Sequence, residues 1–79
     1  MANFENRVIK KKKLDKELTL KVLQNEMSGR IFVEFSSEDG KLVVQKSFQD
    51  TYEGNKEAAE FQKRFKTIRD LRKYLGYEK

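Results

Sequence analysis

Apolar side chains recur at every second position in short runs between residues 17 and 48, a pattern typical of strands that bury one face. Leu18, Leu20 and Val22 form the first of these runs. They also recur with Leu14 at four-residue spacing, which would suit an amphipathic helix from Leu14 to Met27. Because β-branched and aromatic residues cluster here between turn signals, we favour a strand.

Two further strands are predicted on either side of a hairpin turn over residues 36 to 41, where Asp39-Gly40 offers the positive φ that tight turns need. A loop at Asn25 to Gly29 precedes them. The strand before the turn has Ile31, Val33 and Phe35 on one face and Phe32 and Glu34 on the other. The strand after it has Leu42, Val44, Lys46 and Phe48 on one face and Val43, Gln45 and Ser47 on the other.

The C-terminal segment predicts an amphipathic helix that begins at a Gly54-Asn55 cap and ends at Gly76. Its apolar stripe, of the width expected for a helix on a sheet, consists of Ala58, Phe61, Phe65, Ile68, Leu71 and Leu75. We expect one bent or continuous helix. The alternative is a break near Lys66, because Thr67 to Asp70 resembles a capping box, and a break would also lift Arg64 and Arg72 out of the stripe.

Together these elements predict an α+β fold: a three- or four-stranded antiparallel β-meander with the C-terminal helix packed on one face. We expect one domain over residues 14–79, preceded by a basic and flexible arm over residues 1–13. The order of elements is similar to that of several small nucleic-acid-binding sheets, including single-strand-binding coactivator domains. That similarity is one of element order alone, so it assigns no residue a role.

Composition narrows the class of function. Without Cys or His, the chain of 79 residues has no thiolate or imidazole for catalysis or metal binding, and we expect no enzyme activity, cofactor or metal. We interpret Glu38 and Asp39 as residues that favour the turn beside Gly40, and not as a catalytic pair of carboxylates. A small fold without disulfides suits a reducing cytoplasm, and no apolar run predicts a signal peptide or membrane span. In composition the chain also looks like many short bacterial or phage open reading frames.

Charge is distributed unevenly along the chain. Residues 1–16 carry six basic and two acidic side chains, residues 17–60 carry five and nine, and residues 61–79 carry seven and two. Basic ends therefore flank an acidic middle. Rows of cations give proteins affinity for nucleic acid that does not depend on base sequence. The predicted phosphate contacts are Lys10, Lys11, Lys12 and Lys13 in the arm and Lys63, Lys66, Arg69 and Lys73 on the helix.

Two alternatives stay open at this point. The basic helix row could serve only as a solvated outer face. The chain could instead be a protein-interaction module, a regulator or inhibitor encoded by a phage or mobile element, that docks on a host protein through Phe32 and Val43 on the uncovered sheet face. That apolar patch would be covered if Val8 and Ile9 packed beside it as an extra strand.

Overall fold

The computed structural model describes residues 7–77, in which four strands form one antiparallel sheet in chain order. The strands are β1 (Arg7–Asp15), β2 (Leu18–Asn25), β3 (Arg30–Ser37) and β4 (Val43–Gln49). Two helices follow, α1 (Tyr52–Gln62) and α2 (Ile68–Leu75). Helix α1 lies against β3 and β4, and α2 contributes Leu71 to the same core. The predicted α+β meander with a helix on one face is confirmed.

The period-two pattern assigned the faces of β2, β3 and β4 correctly. Side chains of the predicted inward face are buried and belong to one core: Leu18, Leu20, Val22, Ile31, Val33, Phe35, Val44 and Phe48. Phe32 and Glu34 of β3 point to the other face. The strand interpretation of residues 18 to 25 is therefore confirmed over the helical one. We call the side under the helices the covered face and the opposite side the open face.

Four phenylalanines join the sheet to the helices. Phe35 lies edge-on to Phe61 and Phe65, with ring centroids 5.6 and 4.7 Å apart. Phe48 contacts Phe61 at 5.9 Å. Lys46 is the one charged residue that β4 turns toward the covered face, and its Nζ lies 5.5 Å from the centroids of Phe48 and Phe61. Such a cation over aromatic rings keeps its charge at the border of the core.

The C-terminal helix is broken, so the continuous helix we favoured is wrong and the alternative break near Lys66 is confirmed. Thr67 caps α2 and forms a capping box with Asp70, and this reciprocal bonding starts a new helix instead of continuing the old one. Gly76 ends α2 with a φ of 86°, as predicted. The break leaves Arg64 and Arg72 exposed. It also ends the apolar stripe early, because Leu75 is 36% exposed.

The start of α1 also differs from the predicted Gly54-Asn55 cap. Thr51 is the N-cap, and its hydroxyl accepts a hydrogen bond from the Gly54 N–H at 3.1 Å. Gly54 has a different role, because a Cβ at this position would overlap the carbonyl oxygen of Gln49. The glycine therefore allows the first turn of α1 to approach the end of β4 closely.

Residues 7 to 13 of the predicted arm lie within β1, which pairs with β2 along its length. Backbone pairing with β2 continues through Asp15, across the boundary predicted between residues 13 and 14. The rest of the predicted arm, residues 1 to 6, lies outside the described residues. Val8 pairs with Leu23, so an extra strand does form, but it lies beside β2 and does not adjoin Phe32 on β3 or Val43 on β4 as the alternative required.

Within residues 7–77, none of the helices has the length and apolar character needed to cross a membrane.

Candidate nucleic-acid interface

Strand β1 forms one edge of the sheet and presents its lysines to both faces. Lys10 and Lys12 pair with buried residues of β2 and therefore belong to the covered side. Lys11 and Lys13 pair with Lys21 and Thr19 and belong to the open face. Register shifts between Val8 and Lys10 and between Lys13 and Asp15 interrupt the pairing at Ile9 and Leu14. Such irregularities are common where an edge strand changes the direction of its side chains.

Two hydrogen bonds attach this edge strand to the helices. The Lys10 Nζ donates to the Gln62 Oε1 at 3.1 Å, at the end of α1. The Ile68 N–H donates to the Asp15 Oδ2 at 3.4 Å, at the start of α2. The segment between the helices, residues 63 to 67, is therefore held beside β1 at both of its ends.

A groove of about 280 Å³ lies between β1 and this segment, and we call it the lysine groove. Its lining residues are Lys12, Lys13, Leu14, Gln62, Lys63, Phe65 and Lys66. Leu14 packs against the core and Phe65 is buried in it, so both belong to the body of the domain. Four lysines line the groove, and in the part of the chain that the structure describes no carboxylate does.

The helix break positions one of these lysines. The Asp70 carboxylate accepts hydrogen bonds from the backbone N–H groups of Lys66 and Thr67, at 2.9 and 3.2 Å. These two bonds, with a smaller contribution from the charge of Lys73, lower the pKa of Asp70. The carboxylate thus stabilises the backbone turn that carries Lys66, which leaves the Lys66 side chain to the groove.

The structure brings together part of the predicted phosphate-binding set. Lys63 and Lys66, predicted on a helix row, meet Lys12 and Lys13 from the predicted arm in one groove. Arg69 and Lys73 lie on α2 and do not line it. The predicted row of four on one helix is wrong, because Lys63 is the C-cap of α1 and Lys66 lies in the connection.

Lysines on an edge strand have a structural explanation as well. Exposed edges invite pairing with another chain, and lysines and bulges discourage it. That explanation accounts for Lys10 to Lys13 and for the two irregularities of β1. It does not account for Lys63 and Lys66, which lie outside the sheet and converge on the same groove. The groove therefore concentrates more positive charge than edge protection requires.

The open face does not hold the apolar patch predicted for protein docking. Phe32 pairs with Ser47, whereas Val43 pairs with Ser36, and the polar pair Glu34 and Gln45 lies between them. Phe32 is half-buried and Val43 is 48% exposed. Phe32 instead has Leu23 as its neighbour on β2. Docking of a host protein on this face stays a prediction, but Phe32 and Val43 do not form one contiguous surface.

Sequence reasoning missed two cations on the open face. Lys21 pairs with Lys11 and Glu34, and Arg30 lies beside Asn25 and Gln49. The alternation of side chains along the strands could have identified both cations. Lys21 lies between two buried residues of β2, and Arg30 lies two positions before Phe32, so both had to face the same side as Phe32.

A second cavity, of about 330 Å³, lies where two turns of the sheet meet α2, and its charge is different. Its lining includes the acidic side chains Glu17, Glu38 and Asp39 together with Arg72. Hydrogen bonds from the Ser37 hydroxyl and the Lys41 N–H lower the pKa of Asp39, so this region stays anionic. Phosphates would be repelled here, which leaves the β1 edge as the favourable approach for a polyanion.

Among the described residues, no group of three or more acidic side chains is placed to hold a metal ion. Comparison with known protein families, with curated proteins and with solved structures finds no match to this chain. Functional inference therefore depends on the residues of the chain itself.

Proposed function

We propose that this chain is a small, non-enzymatic cytoplasmic protein that binds nucleic acid through the phosphate backbone. The observation that carries the proposal is the lysine groove, in which Lys12 and Lys13 meet Lys63 and Lys66 from a segment some fifty residues away in sequence. Lysine ammonium groups at such a surface displace the counterions condensed on nucleic acid, and the release of those ions favours binding.

Charge alone would be a weak argument, because lysines are common on protein surfaces. Two structural features support the proposal. The groove is attached to the core through Leu14 and Phe65, so its lysines extend from ordered backbone. Lys10 and Lys11 lie on the same strand and extend the positive charge beyond the groove. Arg69 and Lys73 on α2 remain candidates for additional, weaker phosphate contacts.

The test is a salt titration of binding with matched charge variants. A labelled DNA or RNA of mixed sequence would be titrated by fluorescence anisotropy at several salt concentrations. For wild type, log K should fall linearly with log salt. The double variant Lys12→Gln/Lys66→Gln should lower this slope by about 1.4 to 1.8, since each phosphate contact contributes about 0.7 to 0.9.

The control removes two charges elsewhere. Lys41→Gln/Lys56→Gln changes two exposed lysines outside the groove and gives the same net charge. It should leave the slope close to that of wild type. Equal slopes for the two double variants would show that net charge, and not the groove, drives binding. An affinity that does not respond to salt would contradict the proposal altogether.

A further inference from the structure

The open face presents a row of apolar side chains across three neighbouring strands. Val8 of β1 pairs with Leu23 of β2, and Leu23 pairs with Phe32 of β3. Val8 is 50% exposed, while Leu23 and Phe32 are half-buried. Adjacent strands lie about 4.8 Å apart, so the row extends over about 10 Å. Neither helix covers this row, since both lie on the other side of the sheet.

Positive charges surround this row. The paired strand residues of the open face carry four cations and one carboxylate: Lys11, Lys13, Lys21 and Arg30, with Glu34. A second carboxylate, that of Glu38 in the turn after β3, lies 4.0 Å from the Nζ of Lys13, which leaves more cations than carboxylates. The carboxylate of Glu34 accepts a hydrogen bond from the Gln45 Nε2 at 3.3 Å, and it lies beside Lys21 in the register. Its negative charge is therefore partly compensated, and the face as a whole is positive.

The open face and the lysine groove meet at the β1 edge. Successive lysines of β1 alternate between the two sides in the register, with Lys12 on the groove side and Lys11 on the open side, and Lys13, which pairs on the open side, also lines the groove. A sugar-phosphate backbone held along this edge would keep contact with cations on both sides. Its bases would then reach the apolar row on β2 and β3.

We infer that the open face binds unpaired bases, with Phe32 as a stacking ring, so that the protein prefers single-stranded to double-stranded nucleic acid. This inference rests on the proposed function. An unpaired base offers its flat π-face, which stacks on an aromatic ring whatever the base sequence. A duplex keeps those faces inside its own stack and presents only phosphates and groove edges. The combination of a ring with surrounding lysines therefore suits a single strand.

The experiment compares a labelled 15-nucleotide thymidine oligomer with a 15-base-pair duplex at the same salt concentration. Wild type should bind the single strand at least fivefold more tightly. Phe32→Leu keeps an apolar side chain in the row but removes the ring. It should weaken single-strand binding at least fivefold, the lower end of what loss of one stacked base costs, and leave duplex binding unchanged. Phe32→Tyr keeps a ring and should retain the preference.

Tyr52→Leu is the matched control, because it removes a ring that is 84% exposed and lies at the start of α1 instead of on the sheet. It should change neither affinity. Equal wild-type affinity for the two ligands would overturn the inference without using any variant, and so would unchanged binding by Phe32→Leu. Either result would still allow the lysine groove to bind phosphates. Failure of wild type to bind either ligand would remove the proposed function as well.

Discussion

The two faces of the sheet come from the same strands but have opposite compositions. On β2, β3 and β4 the buried positions of the covered face are all apolar. Its polar residues are Gln24 and Ser37 at strand ends and Lys46, which lies over aromatic rings at the border. The open face mixes cations, amides, hydroxyls and one phenylalanine ring. Burial against α1 and α2 explains the covered face fully. Stability does not require a half-buried ring among lysines, so the open face is where binding chemistry is to be sought.

The largest expected effect is a difference in the free energy of unfolding between substitutions on the two faces. Phe35 is fully buried on the covered face, whereas its near neighbour Phe32 lies on the open face. Phe35→Ala should lower the free energy of unfolding by about 3 to 5 kcal/mol, because it removes buried surface and leaves a cavity. Phe32→Ala should cost about 1 to 2 kcal/mol, since less of its surface is removed from water.

Urea unfolding followed by circular dichroism would measure both changes. A domain of this size has little stability to lose, so the Phe35 variant should be unfolded or close to it at room temperature. Comparable losses for the two variants would mean that something in the folded protein covers the open face as effectively as the helices cover the other.

A smaller effect concerns how α1 is held on the covered face. Alanine normally stabilises a helix relative to glycine by up to about 1 kcal/mol. At Gly54 the sign should reverse, because the new Cβ would overlap the Gln49 carbonyl, which is backbone and cannot rotate away. Gly54→Ala should therefore destabilise the fold by about 1 to 3 kcal/mol, as overpacking does.

Thermal unfolding of Gly54→Ala would check this sign, with Ala59→Gly as the reference for ordinary helix propensity. Ala59 is exposed on the same helix, so its change to glycine should lower stability by about 1 kcal/mol. If Gly54→Ala raised the melting temperature, the close approach of α1 to β4 would not exist in solution.

The covered face was easier to predict from sequence than the site. Alternation in β2, β3 and β4 follows from the pleat, and the capping box at Thr67 is a local signal. Strand β1 gives no such signal, because four consecutive lysines have no alternation of apolar and polar residues. Its strand conformation comes from backbone pairing with β2, which is a tertiary effect.

Prediction of the lysine groove would have required the same long-range information. A continuous C-terminal helix would place Lys63 and Lys66 in one row on its outer face. Their true neighbours, Lys12 and Lys13, are set by the register of β1 and by the break between the helices. Sequence patterns report which face of an element is buried, but they do not report which exposed faces of distant elements meet.

The smallest expected effect tests the capping box that places α2 on the covered face. Hydrogen bonds from the Lys66 and Thr67 N–H groups, then the charge of Lys73, hold the pKa of Asp70 below its ordinary value of 3.8. A carboxylate with a lowered pKa stabilises the fold at pH values above its ordinary pKa. This contribution is lost as the pH falls through the lower pKa of the folded state. Asp70→Asn should therefore be less stable than wild type near neutral pH.

The loss should be smaller than the roughly 1 kcal/mol typical of removing an N-cap side chain. Asp70 is partly exposed, so solvent screens its charge, and asparagine can still accept a hydrogen bond. Asp39 and Asp50 also have lowered pKa values, so both proteins should lose stability in acid. The informative quantity is the difference between them, measured by urea unfolding from pH 7 to pH 2. It should shrink toward zero below the pKa of Asp70, and a constant difference would show that the charge of Asp70 does not stabilise α2.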